Sequence, residues 1–131
     1  MTKEDEFRME HLGCAEKLQA VGDSLYVIGG KWKLRVIIAL SQGHKRFNDL
    51  QRTITGISGK VLSAELKELE LNGFVERKVQ ADTMPVIVEY ELTPYSQTLK
   101  DVVYALIHWG VLHREKIRSE TKQDLTGQWQ I

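Results

Sequence analysis

The sequence predicts an α+β fold that is mainly α-helical and forms one domain of 131 residues. Apolar residues recur at spacings of three and four along most of the chain, which is the period of a helix packed on one side. One short stretch, residues 86–92, instead alternates between apolar and polar side chains, as a half-buried strand does. A hydrophobic content of 42% with 27% charged residues indicates a globular chain that can bury a core.

Four helices are predicted in the first half of the chain. In the first of them, Leu18 and Leu25 belong to an apolar row at helical spacing, and Gly29-Gly30 ends the helix. Ser58 is a favourable N-cap for the fourth helix. The four predicted helices are residues 14–28, 31–42, 47–54 and 59–72.

The second half of the chain is predicted to begin with a hairpin and to end with a long helix. Residues 74–80 and 86–92 are strand-like, and residues 81–85 connect them. Helical spacing returns over residues 96–122, with the apolar side chains on or near one face. The predicted order is therefore four helices, a hairpin and a long helix.

The connection between the third and fourth predicted helices is short and contains glycine. Thr55-Gly56-Ile57-Ser58 joins them, and the hairpin follows the fourth helix at once. This order is typical of a winged helix-turn-helix. We assign residues 47–72 to the helix-turn-helix and residues 74–92 to the wing, within one domain that spans residues 1–131.

The charge is balanced over the whole chain but not along it. Eighteen Lys and Arg match eighteen Asp and Glu, so the formal net charge is zero. Residues 31–60, however, hold seven basic side chains and one acidic side chain, Asp49. Phosphate affinity depends on local charge, because screening removes contributions beyond about 8–10 Å. The local net charge of +6 favours an anionic partner, although a solvated basic face without a partner gives the same pattern.

The fourth predicted helix separates its apolar residues from a narrow polar stripe. At about 100° per residue, Leu62, Leu66 and Leu69 lie on one side of the helix. The opposite side carries Lys60, Ser63, Ala64 and Lys67. A helix that enters the DNA major groove needs small and hydrogen-bonding residues for close approach, and cations for phosphates or guanine edges. The alternative is an ordinary amphipathic surface helix, but the turn before it and the hairpin after it favour the DNA-binding interpretation.

Several short motifs occur together in a fixed order. They are Gly29-Gly30-Lys31-Trp32, Arg46-Phe47-Asn48-Asp49-Leu50, Gly56-Ile57-Ser58, Asn72-Gly73-Phe74-Val75, Glu89-Tyr90-Glu91-Leu92-Thr93-Pro94 and Trp109-Gly110. Together they resemble the HxlR-type winged helix-turn-helix regulators over residues 22–113. The resemblance implies a small bacterial transcription factor that acts as a homodimer on a palindromic operator in double-stranded DNA.

The resemblance also implies that the recognition helix begins at Ser58 and that Arg46, which starts the preceding helix, lies near the DNA backbone. Wings of the family often carry a basic residue near the tip, whereas residues 82–87 of this chain hold none. The backbone contacts of the wing are therefore assigned to Arg77 and Lys78 at its base. The predicted DNA-binding residues are Arg46, Ser58, Gly59, Lys60, Ser63, Lys67, Arg77 and Lys78.

The last predicted helix carries an apolar stripe that one winged-helix core does not need to cover. Gly110 within it would let a second helix approach closely. The stripe can instead pack on the chain's own first helix, and dimers of the family use the first and last helices together. We therefore predict that residues 14–28 and 96–122 are dimerisation helices. The predicted dimer contacts are Leu18, Leu25, Leu99, Val103, Leu106, Trp109 and Gly110.

Cys14 is the one cysteine of the chain, so a protein disulfide is possible only between two subunits. Many members of the family have a cysteine closer to the Gly-Gly pair, where this chain has Gln19. The thiol switch of those members therefore cannot simply be transferred to Cys14. The nearby Glu16 opposes a reactive thiolate and Lys17 favours one, so a redox-active and an inert Cys14 both stay open.

Other function classes lack the residues that they need. His108 and His113 lie about 140° apart on a helix, so they cannot share one metal ion. No His-Glu-x-x-His pattern occurs, and we predict no catalysis, no cofactor and no metal site. No apolar run approaches the ~18 residues of a membrane span, and the acidic N-terminus has no signal-peptide pattern. The expected location is a reducing cytoplasm.

The predicted partners are double-stranded DNA, a second copy of the chain and an unidentified effector, without a membrane. The alternative function is a winged-helix module that binds protein and does not bind DNA. Such a module does not need the net charge of +6 in residues 31–60, so the charge favours DNA.

Overall fold

The computed structural model of the protein describes residues 1–125. Helices, two strands and one short 3-10 helix follow one another along this part of the chain. The α-helices are α1 (Lys3–Glu10), α2 (Cys14–Ile28), α3 (Lys33–Ser41), α4 (Phe47–Thr53), α5 (Gly59–Leu71) and α6 (Lys100–Leu125). The strands are β1 (Val75–Gln80) and β2 (Ile87–Leu92), and the 3-10 helix is Pro94–Leu99. The mainly helical fold with one hairpin is confirmed.

The structure differs from the sequence prediction in two elements. The helix α1 is missing from the sequence prediction, because its residues show no apolar periodicity, and in the structure it buries none of them. The sequence does hold one signal for this helix, a capping box at its start. In it, Thr2 and Asp5 each accept a hydrogen bond from the other residue's backbone N–H. The long C-terminal helix begins later than predicted, since Pro94–Leu99 forms a 3-10 helix before α6.

The core of the first compact unit, Met1–Thr98, is built by α3, α4, α5 and the hairpin. The helix α3 packs against α4, α5 and β2, and α5 packs against β1. The most deeply buried side chains are Val36, Leu50, Leu62, Leu66 and Leu69. Three of these belong to α5, so burial of that face turns the opposite face of α5 outward.

Backbone hydrogen bonds hold the wing against the helix-turn-helix. The strands β1 and β2 pair antiparallel along their whole length. The Tyr90 N–H of β2 donates to the Lys45 carbonyl (2.8 Å), just before α4 begins. The Thr93 N–H donates to the Phe74 carbonyl (3.0 Å) and closes the base of the hairpin. The first bond joins the hairpin to the residues that precede α4, and the second closes the hairpin shortly after α5 ends.

The second compact unit begins at Leu99, the last residue of the 3-10 helix, and the rest of its described part is the helix α6. Apolar side chains of α6 are largely exposed, among them Leu106 at 50% and Trp109 at 62%. Within the first unit, α2 likewise exposes Leu18 at 68% and Leu25 at 63%. Exposed apolar side chains at helical spacing make α2 and α6 candidates for an interaction surface. None of the described helices is long and apolar enough to cross a membrane.

Candidate nucleic-acid interface

The turn between α4 and α5 is held by a glycine, a cap and two buried side chains. Gly56 has a φ of +86°, a left-handed conformation that favours glycine. Ser58 caps α5 by accepting a hydrogen bond of 3.1 Å from the Val61 N–H. Ile54 and Ile57 are buried on either side of Gly56. This turn determines where α5 begins and which of its faces points outward.

The helix α5 presents the predicted polar residues to solvent. Its leucines Leu62, Leu66 and Leu69 are at most 1% exposed. The exposed residues opposite them are Lys60, Ser63, Ala64 and Lys67, which we call the α5 stripe. Two small side chains leave room for close approach, and two lysines supply positive charge. The positive end of the helix dipole adds to that charge near Lys60, in the first turn.

The predicted DNA-binding residues that precede the α5 stripe are Arg46, Ser58 and Gly59. Ser58 is exposed and Gly59 is half-buried. A Cβ added at Gly59 would lie 3.6 Å from the Gln51 Oε1 of α4. Arg46 is the N-cap residue of α4 and is exposed. Its guanidinium is therefore free to reach a phosphate, although Asp49 in the first turn of α4 adds a negative charge nearby.

The two predicted wing cations differ in their surroundings. Arg77 and Lys78 are both exposed on β1. The Lys78 Nζ lies 2.9 Å from the Glu91 Oε2 on β2. This contact raises the pKa of Lys78 and lowers the pKa of Glu91 from their ordinary values. Glu91 neutralises part of the Lys78 charge, which makes Arg77 the stronger phosphate candidate of the two.

The cations of the basic segment, residues 31–60, differ in exposure and in their contacts. The exposed Lys31 and Arg35 lie over the Trp32 ring, 4.7 and 5.5 Å from its centroid. The Trp32 ring also reaches the turn, with its Cη2 3.8 Å from the Cβ position of Gly56. Lys33 is only 13% exposed and pairs with two carboxylates of α5. Counting charges along the sequence could not separate these two kinds of cation.

A second paired group joins His44, which follows α3, to Asp49 and Arg52 on α4. The His44 Nδ1 is 2.7 Å from the Asp49 Oδ2, and this hydrogen bond lowers the pKa of the Asp49 carboxyl from its ordinary value. The Arg52 guanidinium lies 3.6 Å from the other oxygen of Asp49.

Within residues 1–125, no group of three or more His, Cys, Asp or Glu side chains is arranged to hold a metal ion.

The predicted dimer contacts lie on or next to α2 and α6 and differ in exposure. The exposed apolar members are Leu18, Leu25, Leu106 and Trp109. Val103 is half-buried and Leu99 is buried. Among the described residues, no neighbouring element lies within 4 Å of the Cβ position of Gly110. Cys14, the first residue of α2, is exposed as a free thiol.

Comparison with known proteins identifies similar regulators. Residues 27–118 match the family model described as HxlR-like helix-turn-helix. The chain is 37% identical over 102 residues to the uncharacterized HTH-type transcriptional regulator YtcD of Bacillus subtilis, covering 78% of this chain and 80% of YtcD. It is 41% identical over 105 residues to the uncharacterized HTH-type transcriptional regulator BH0655 of Halalkalibacterium halodurans, covering 78% of this chain and 92% of BH0655. Among solved structures, the redox regulator HypR in its reduced form is similar with a TM-score of 0.70 at 38% identity, covering 76% of this chain and 98% of HypR.

Proposed function

Because the chain belongs to the HxlR-like helix-turn-helix family of transcriptional regulators, we propose that it binds double-stranded DNA at specific sequences and acts in the cytoplasm. The observation that carries this proposal is the α5 stripe. Two lysines and two small residues face solvent on the helix that follows the turn, opposite a buried leucine face. A helix that reads the major groove needs this combination. The relatives are transcriptional regulators, and the proposal includes no catalytic step.

The proposal assigns different DNA contacts to different residues. Lys60 and Ser63 project from the first turns of α5, from which base edges are within reach. Lys67 lies further along the helix and is assigned to a phosphate, together with Arg46 on α4 and Arg77 on the wing. Base contacts then determine the sequence preference, and phosphate contacts determine register and the salt dependence of binding.

We further propose that the protein acts as a homodimer on an inverted repeat. The helices α2 and α6 each expose apolar side chains that a second copy can cover. A twofold dimer places its two recognition helices in successive major grooves, about 34–36 Å apart. Because each half of the operator contacts an identical subunit, the operator repeats the twofold symmetry of the protein.

Selection of bound sequences from a random duplex library tests this proposal. The purified protein should enrich an inverted repeat with half-sites centred about 10–10.5 base pairs apart, or a multiple of that spacing. The alternative, a winged-helix module that binds only protein, predicts no enrichment. Heparin retention separates the two functions as well, because binding through phosphate-contacting cations weakens steeply with salt. A chain that heparin does not retain would contradict DNA binding.

A further inference from the structure

The charge of α5 is unfavourable for a helix that approaches phosphates. The helix carries two lysines against three glutamates, a net charge of −1. The glutamates are Glu65, Glu68 and Glu70. DNA presents about one negative charge per 1.7 Å of duplex, so uncompensated carboxylates on this helix oppose binding. A recognition helix of this composition needs positive charge from elsewhere in the fold.

Two of the three carboxylates are paired with a lysine of another helix. Lys33, the first residue of α3, places its Nζ 3.0 Å from the Glu65 Oε2 and 2.7 Å from the Glu68 Oε2. The side chains of Lys33 and Glu65 are 13% and 19% exposed, so water screens their contact less than it screens a surface ion pair. Glu68 is 57% exposed, so its contact with Lys33 is screened more. The contact with Glu68, and then that with Glu65, holds the pKa of Lys33 above its ordinary value although burial opposes this shift.

The paired carboxylates border the α5 stripe. At about 100° per residue from Lys60, Ala64 lies at about 40°, Glu68 at about 80° and Glu65 at about 140°. Glu68 is therefore the neighbour of the stripe on its Ala64 side, and Glu65 follows it toward the buried face. A phosphate backbone that contacts the stripe is also repelled by these two carboxylates. The positive charge of Lys33 reduces that repulsion.

We propose that Lys33 is a positioning residue of the DNA interface, which offsets one of the two negative charges of Glu65 and Glu68 so that α5 can approach a phosphate backbone. The same two contacts join the beginning of α3 to the middle of α5 and hold the α5 stripe in one orientation. Lys33 itself needs no contact with DNA in this role. The inference rests on the proposed DNA binding.

An electrostatic role and a packing role of Lys33 predict different results. Removing Lys33 alone leaves two uncompensated carboxylates beside the stripe, whereas removing all three charged groups leaves none. If the charge of Lys33 matters, removing all three charged groups restores the DNA binding that is lost when Lys33 alone is removed. If only the contact between α3 and α5 matters, DNA binding stays weak, because removing all three charged groups does not restore an ion pair between the two helices.

The experiment measures binding of a fluorescently labelled random-sequence duplex by the full chain over about 50–200 mM salt. We expect Lys33→Met to weaken binding about 3- to 10-fold at the lowest salt, with a smaller difference at higher salt. The triple variant Lys33→Met/Glu65→Gln/Glu68→Gln should bind at least as tightly as the wild type. Lys116→Met is the matched control and should bind as the wild type does, because it removes a lysine whose 3.8 Å pair with Glu120 is exposed on α6.

A second variant keeps the inference testable where thermal unfolding shows that Lys33→Met is unfolded. Glu65→Gln/Glu68→Gln retains the ammonium and removes its two partners, so it should bind the random duplex more tightly than the wild type. Unchanged binding by a folded Lys33→Met, a triple variant as weak as Lys33→Met, or no gain in Glu65→Gln/Glu68→Gln overturns the inference. Failure of the wild type to bind any duplex would instead contradict the proposed function.

Discussion

At the scale of single residues, the buried and exposed leucines of α5 should contribute differently to stability. Leu66 is 1% exposed, whereas Leu71 at the end of the same helix is 78% exposed. Leu66→Ala removes buried methyl groups and leaves a cavity, so we expect the free energy of unfolding to fall by about 2–5 kcal/mol. Leu71→Ala should change it by less than about 0.5 kcal/mol. Denaturant unfolding of both variants measures this difference, and equal losses would contradict the packing of α5.

Oxidation of Cys14 is tested at the scale of a single residue. Cys14 is the one cysteine of the chain and is exposed at the start of α2, so a protein disulfide would have to join two copies. No second cysteine of the same chain is present to resolve an oxidised thiol. We expect mild oxidant to leave DNA affinity unchanged in both the wild type and Cys14→Ser. A loss of affinity on oxidation in the wild type alone would assign a redox function to Cys14.

The sequence predicts some of the candidate site residues better than others. The α5 stripe follows from the sequence, because the buried face of a helix determines the opposite face. The pairing of Lys33 does not, because its partners Glu65 and Glu68 lie on another helix and only tertiary packing brings them together. The pairing of Lys78 with Glu91 depends on strand register, which the hairpin pattern alone leaves undetermined.

At the scale of elements, the turn before α5 depends on its glycine. Gly56→Ala puts a Cβ on backbone with a φ of +86°, so we expect it to lower the free energy of unfolding by about 1–2 kcal/mol. Gly22→Ala is the matched control within α2, where nothing lies within 4 Å of the new Cβ. It should gain about 0.5–1 kcal/mol from helix propensity. Thermal unfolding compares the two variants, and a stabilised Gly56→Ala would contradict the described turn.

Elements with an apolar row at helical spacing are predicted from the sequence, and α1, which has no such row, is not. The helices α3 and α5 each place several aliphatic side chains in the core, and their apolar periodicity locates them to within a few residues. The helix α1 buries nothing and is held by its cap, so periodicity carries no information about it. The 3-10 helix over Pro94–Leu99 is continuous with α6 along the chain, and apolar spacing does not distinguish the two.

At the scale of the whole molecule, the exposed apolar residues of α2 and α6 predict self-association. We expect light scattering at micromolar concentration to give the wild type twice the chain mass of 15.0 kDa. Leu106→Glu should lower the mass toward 15.0 kDa, because a dimer would bury the new carboxylate. Met84→Glu changes a 98% exposed residue of the wing loop and should keep the dimer. A monomeric wild type would contradict the dimer.

The central claim is that the α5 stripe reads DNA, and the ratio of affinities for a selected duplex and a scrambled duplex tests it most directly. Lys60→Ala should cost about 1–3 kcal/mol on the selected duplex and lower this ratio, because it removes a base contact. Lys67→Ala should weaken both duplexes by the same factor and reduce the salt slope by about 0.9, because it removes a phosphate contact. If Lys60→Ala, Ser63→Ala and Lys67→Ala each left the affinity, the ratio and the salt slope unchanged, α5 would not be the recognition helix.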